Sequence, residues 1–235
     1  MVERDVLRVA AECCTGLVHQ LAEIEEANPC KEPVVDDFVA SARWLAELAA
    51  RIEPDDWARP GLGVWNVRSL LGHAARALVT VEDYLARPAQ AVDTPSAVAY
   101  LVLAGKADPA AIAARGVTAG DDLGENPVAS VAALVERVSQ TVMSTPPEAL
   151  MQTSAGGMTL HAYLPTRSVE LVVHGCDLAR ALGAEPDPPV AAAASVARLL
   201  ADAYLSLSTG GAAILCLALA GRPTAPEALV LWPSP

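Results

Sequence analysis

At 235 residues the chain is long enough to bury a sizeable core without disulfide staples. Hydrophobic residues make up 53% and charged residues 19%, with a mean hydropathy of +0.33, which excludes the apolar-poor composition of a disordered chain. The net charge of −12, from 16 Lys and Arg against 28 Asp and Glu, speaks against a nucleic acid or an anionic membrane as partner, because phosphates and acidic headgroups repel such a surface.

The first residues already carry Glu3, Arg4 and Asp5, and no uninterrupted apolar run with a cleavage site follows. The longest apolar stretch, residues 212–220, is about half of the roughly 20 residues that span a bilayer. A cytoplasmic protein with no membrane partner is expected. Cys13, Cys14, Cys30, Cys176 and Cys216 are odd in number and form no C-x-x-C pair, so neither a disulfide framework nor a zinc knuckle is indicated, and they read as small buried hydrophobes. Lys31 and Lys106 are the only lysines; the rest of the cations are arginines, which with the abundant alanine fits the coding bias of a GC-rich genome.

Strand signals are scarce and the apolar spacing is helical. Val6, Ala10, Cys13, Leu17, Leu21 and Ile24 predict an amphipathic helix over about residues 3–27. Asn28-Pro29 and Glu32-Pro33 then break the chain, which makes residues 1–35 an N-terminal helical extension. A second helix is predicted over about 36–52, with Asp36 as N-cap and Phe38, Leu45 and Leu48 inward. Residues 54–63 form a loop. Asn66 caps a third helix from Val67 to about Ala86, and residues 88–127 hold two weakly patterned helical pieces. Further helices are predicted over 128–142, over 165–182 with Pro165 in the first turn and Gly183 at C′, over 189–207 and over 212–220, followed by a possible strand at 228–232. The expected architecture is mainly α: a four-helix bundle over 36–185, the N-terminal extra helix, and a small C-terminal α or α/β extension over 186–235.

The informative segment runs from Pro165 to Gly183. At about 100° per residue, Arg167, Glu170, His174 and Asp177 share an arc of roughly 80°. Leu171 and Leu178 flank this stripe on one side and Val173 on the other, while Ser168, Ala179 and Arg180 make the better solvent face. The polar stripe therefore points into the bundle. Charges there cost several kcal/mol unless paired or bound to a metal. Arg167 can neutralise one carboxylate, and Glu170 and His174, one turn apart, can take a cation between them. A third ligand has to come from a facing helix. His73 is the candidate, since it lies in the apolar stripe of Leu70, Ala77, Val81 and Tyr84.

Two imidazoles and a carboxylate are a typical catalytic zinc set with an open fourth position, although nickel, iron or manganese could occupy the same atoms. Asp177 suits an accessory catalytic role, orienting an imidazole or accepting a proton; a salt bridge to Arg167 or Arg76 is the bland alternative. His161 and His19 lack an acidic residue four positions earlier and read as surface or capping residues. Cys176 points away from His174 on the wheel. Gly61-Leu-Gly63 lacks the helix placement of a dinucleotide loop.

The segments Trp65-Asn-Val-Arg-Ser-Leu-Leu-Gly-His73 and Arg167-Ser-Val-Glu170-Leu-Val-Val-His174-Gly-Cys-Asp177 resemble the mycothiol-dependent maleylpyruvate isomerase family, within the DinB-like superfamily of metal-binding four-helix bundles. The resemblance covers about residues 36–185. It implies that His73, Glu170 and His174 bind zinc, that Asp177 assists near the metal, and that a low-molecular-weight thiol such as mycothiol, found in actinobacteria, is the cofactor. Arg167 and Arg76 are the candidate cofactor-binding residues. The sequence departs from the pattern in the helix before Pro33, at Cys176, where relatives are often aromatic, and in a short C-terminal portion where Arg222 has no secure counterpart.

The expected function is a metal- and thiol-dependent isomerase or S-transferase acting on a small electrophile. The alternatives are a noncatalytic binding protein with a structural or sensory metal, and a metal-free carrier of hydrophobic ligands.

Overall fold

A computed structural model describes residues 33–225 and Leu229. The expected helix at 3–27 lies outside the described residues, as does nearly all of the expected strand at 228–232. Among the described residues, eight helices and one hairpin follow in chain order: α1 (Pro33–Ala49), α2 (Val67–Leu85), α3 (Ala97–Ala104), α4 (Pro109–Asp122), α5 (Pro127–Ser144), β1 (Leu150–Thr153), β2 (Gly156–Thr159), α6 (Leu160–Ala181), α7 (Val190–Leu207) and α8 (Gly211–Leu219).

Helices α1, α2, α5 and α6 form a four-helix bundle. Each of α1 and α2 packs on both α5 and α6, so α1 and α2 occupy one diagonal and α5 and α6 the other. The expected inward residues Phe38, Leu45 and Leu48 of α1 are fully buried, as are Leu70 and Val81 of α2. The Asn66 side chain accepts from the Ser69 backbone N–H, which starts α2 where the sequence predicts. Helix α7 falls in the region expected to be an extension, and it adds Ala192, Val196 and Ala203 to the common core. Among the described residues α7 is the one unbroken helix long and apolar enough to cross a membrane; here it lies along α6, α3 and α1.

Helix α6 departs from expectation at its start. It begins at Leu160 and carries Pro165 inside it, where a first-turn proline was predicted. Thr159 caps the Ala162 N–H, and the first turns bury Leu160, Tyr163 and Leu164, so local capping and packing offset the hydrogen bond that proline cannot donate. The end is as predicted: Gly183 adopts φ +76°, its N–H donates to Arg180 O, and the Ala184 N–H reaches Ala179 O, a complete Schellman cap. The expected solvent face is corrected too. Ser168 and Ala179 are buried, because α1 and α7 cover that side; Arg180 is exposed, and so, at 37%, is Val173, expected to flank the stripe inside the bundle.

The β1–β2 hairpin is absent from the sequence reading. Its four-residue strands place Met151 opposite Met158, both fully buried. Residues 87–94 support it from outside: Ala89 N–H donates to Leu150 O, Gln152 N–H to Arg87 O, and Asp93 N–H to Gly157 O.

Helix α4 lies against α2 at backbone distance. A Cβ on Gly72 would stand 2.2 Å from Gly120 N and 2.5 Å from Ala119 C, both backbone atoms that cannot swing aside. Gly72→Ala is therefore expected to destabilise the protein by at least the roughly 1–3 kcal/mol typical of overpacking. Urea unfolding followed by far-UV circular dichroism checks this, and an unchanged midpoint contradicts it.

Candidate metal centre

Three side chains from two helices meet in the α2–α6 interface. His73 comes from the second turn of α2; Glu170 and His174 come from adjacent turns of α6. One carboxylate oxygen is shared. Glu170 Oε2 lies 3.5 Å from His73 Nε2 and 3.3 Å from His174 Nε2, and the imidazole rings cross edge-on with centroids 4.8 Å apart. Among the described residues these three form the one group whose ligand atoms all lie within 4.8 Å of one another. Donors bonded at 2.0–2.1 Å around a tetrahedral ion stand roughly 3.3 Å apart. The two separations from Oε2 fit that edge, and the set of two nitrogens and one oxygen suits a divalent transition ion.

The surrounding residues hold this arrangement. Asp177 Oδ2 lies 3.2 Å from His174 Nδ1, which turns the opposite nitrogen, Nε2, toward Glu170. The other Glu170 oxygen, Oε1, faces Arg167 Nη2 at 4.0 Å. Arg167 is 8% exposed, its Nε donates to Thr166 Oγ1, and its guanidinium lies over the rings of Tyr163 and Tyr100. Behind α6, the backbone of Gly175 is in contact with the Trp44 ring of α1, at a spot where a Cβ would approach within 2.2 Å. Trp65, in the loop before α2, stacks on His73 with centroids 4.4 Å apart and meets the edge of His174 at 6.2 Å.

A family model described as the mycothiol maleylpyruvate isomerase N-terminal domain matches residues 38–179. The chain belongs to that family. The matched span includes His73, Glu170, His174 and Asp177 and takes in nearly all of the four bundle helices. No curated protein and no solved structure matches the chain.

His19 lies outside the described residues; the candidate site residues read from the sequence all lie on this isomerase-family bundle. His73, Glu170 and His174 converge, Asp177 touches His174, and Arg167 is buried behind Glu170. Arg76 is half-buried on α2 one turn past His73, where its charge works against protonation of that imidazole. Among the described residues Asp177 pairs with His174; no Asp177 bridge to Arg167 or Arg76 forms. His161 is exposed in the first turn of α6 and Cys176 stays outside the cluster. Arg222 is exposed beyond α8, and its guanidinium donates to Ala220 O. The residue given no role from sequence is Trp65. Its position two residues before α2 is visible in the chain, but its contact with both imidazoles is not.

The electrostatics of the metal-free cluster follow from the contacts. Burial, the largest effect, opposes the charge of Glu170, yet the two imidazoles and Arg167 together hold its carboxyl well below the usual carboxylate range. Burial also keeps His73 below the ordinary imidazole value, against the pull of Glu170. For His174 burial is outweighed by hydrogen bonds to Asp177 and Glu170, and its pKa is raised from 6.5 to about 9. The metal-free site thus carries an imidazolium at neutral pH. A raised histidine pKa stabilises the folded state fully below pH 6.5 and less and less as pH climbs through about 9. Two outcomes are expected. In chelator, His174→Gln loses more stability at pH 6 than at pH 9.5, read by thermal unfolding. Zinc uptake at pH 7.5 releases about one proton, read by calorimetry in buffers of different ionisation enthalpy, and the release fades above pH 9.

Proposed function

We propose that this chain is a metal- and thiol-dependent enzyme of small-molecule metabolism, with zinc held by His73 Nε2, Glu170 Oε2 and His174 Nε2 and mycothiol or a similar thiol as cosubstrate. The observation that carries the reading is the shared Oε2 with both nitrogens at tetrahedral-edge distance, in a chain of the mycothiol maleylpyruvate isomerase N-terminal domain family. A divalent ion held by these three residues would lower the pKa of a thiol and polarise an electrophile, the chemistry that an isomerisation through thiol addition or an S-transfer requires.

The protein's own groups prepare the reaction. Asp177 Oδ2 accepts a hydrogen bond from His174 Nδ1–H, fixing the tautomer that leaves Nε2 to bind. Glu170 supplies one negative charge, and Arg167, engaged with Glu170 Oε1 and two tyrosine faces, acts on a cofactor through that carboxylate. Arg76 is the cation assigned to an acidic group of the thiol or substrate. Residues 36–185 are the proposed catalytic bundle, with the site in the cytoplasm.

Protein purified without chelator is expected to carry about one zinc per chain by mass spectrometry. With mycothiol and a panel of cis-configured activated alkenes and alkylating electrophiles it is expected to turn over at least one, and His174→Ala abolishes this. Thiol binding without turnover of any of them would favour the noncatalytic binding protein. His73→Ala, Glu170→Ala and His174→Ala each lose metal; Asp177→Asn keeps it with roughly 10- to 100-fold lower affinity and slower turnover. A chain that takes up no metal after repletion sinks the reading.

A further inference from the structure

A metal-ligating imidazole is ordinarily held by a hydrogen bond from its second ring nitrogen. His174 has that support from Asp177. His73 does not: its Nδ1 is buried and has no hydrogen-bond partner among the described residues. The ring is instead covered by Trp65, with centroids 4.4 Å apart and planes tilted by 31°. Trp65 also reaches His174, edge-on at 6.2 Å and 76°.

The indole is itself locked. It is 2% exposed, and its N–H donates to Ala113 O of α4 at 2.9 Å. The backbone of Gly116, one turn on, lies so close to the ring that a Cβ there would come within 2.4 Å of it. The Trp65 backbone is held as well: its N–H donates to Leu62 O and its carbonyl accepts from Gly61 N–H.

We infer that Trp65 is a positioning residue whose ring replaces the missing hydrogen bond, holding His73 with Nε2 toward Glu170, and that the hold originates in Ala113 and Gly116 of α4. Stacking fixes the plane of an imidazole without adding negative charge behind it. The two histidines are therefore unequal donors: His174 is strengthened by the Asp177 carboxylate, while His73 is held by shape. The consequence for metal binding rests on the proposed function; the orientation of the ring does not.

Cobalt(II), a zinc surrogate with visible absorption, is the probe, its affinity measured by chelator competition. Trp65→Leu is expected to bind it 10- to 100-fold more weakly with altered d–d bands. Trp65→Phe restores a ring and most of the affinity, and Trp57→Phe, in the same loop, changes neither. A Trp65→Leu protein with wild-type affinity and spectrum overturns the inference, as does a Phe variant as weak as the Leu variant. Wild-type metal-free protein gives a second readout should Trp65→Leu not fold. With 13C-labelled histidine, the His73 ring signals, assigned by His73→Gln, are expected to be sharp and shifted upfield by the indole; unshifted or exchange-broadened signals overturn the inference. Upfield signals in a wild-type protein that binds no cobalt would support the role of Trp65 while removing the metal reading.

Discussion

An ionised carboxylate set between two helices of a bundle has to be compensated at both oxygens, and Glu170 organises its surroundings around that requirement. Oε2 is flanked by the imidazoles of His73 and His174, and Oε1 is turned toward Arg167. Arg167 is a buried charge in its own right. It rests on the faces of Tyr100 and Tyr163 and on Thr166 Oγ1, and Tyr163 donates its hydroxyl proton to Thr80 Oγ1 of α2. One polar network thus runs from α2 through α6 to α3. Removing Glu170 from this network leaves the Arg167 guanidinium buried without its carboxylate, which is destabilising. The same compensation keeps the carboxylate ionised and the donors facing one another, so stability and binding chemistry draw on the same contacts.

What could be read from the chain alone was whatever depends on helical period. Arg167, Glu170, His174 and Asp177 fall on one arc because all four lie on α6, and His73 was found because it interrupts the apolar stripe of α2. Caps were equally readable: Asn66 and Gly183 act through atoms two or three residues away. The contacts that escaped are between residues distant in sequence. Trp65 meets α4 through Ala113 and Gly116, some fifty residues on, and Arg167 meets Tyr100 from a helix with weak apolar patterning. The hairpin of Leu150–Thr153 and Gly156–Thr159 takes its support from residues 87–94, so no local strand signal marked it. Pro165 misled because a proline reads as a helix start, whereas here the capped turn before it and the burial of Tyr163 and Leu164 carry the helix through.

The wheel also underestimated how much of α6 is covered. A charged stripe on one side suggested a wet face opposite, near Ser168 and Ala179, but α1 and α7 close over that side. The exposed residues are confined to His161 in the first turn, Arg180, and Val173 next to His174. A helix that bears the reactive groups is in this way packed on nearly every side, which limits the rotamers that its polar side chains can sample.

The close approach of Gly72 to Gly120 has an effect beyond packing density. Two helices that touch through side chains can roll on one another by swapping rotamers, but a seam of bare backbone has nothing to swap. The azimuth of α2 about its own axis is thereby set by α4. His73 is the very next residue, so the bearing of its Cα–Cβ bond is determined before any side chain on the far helix takes part.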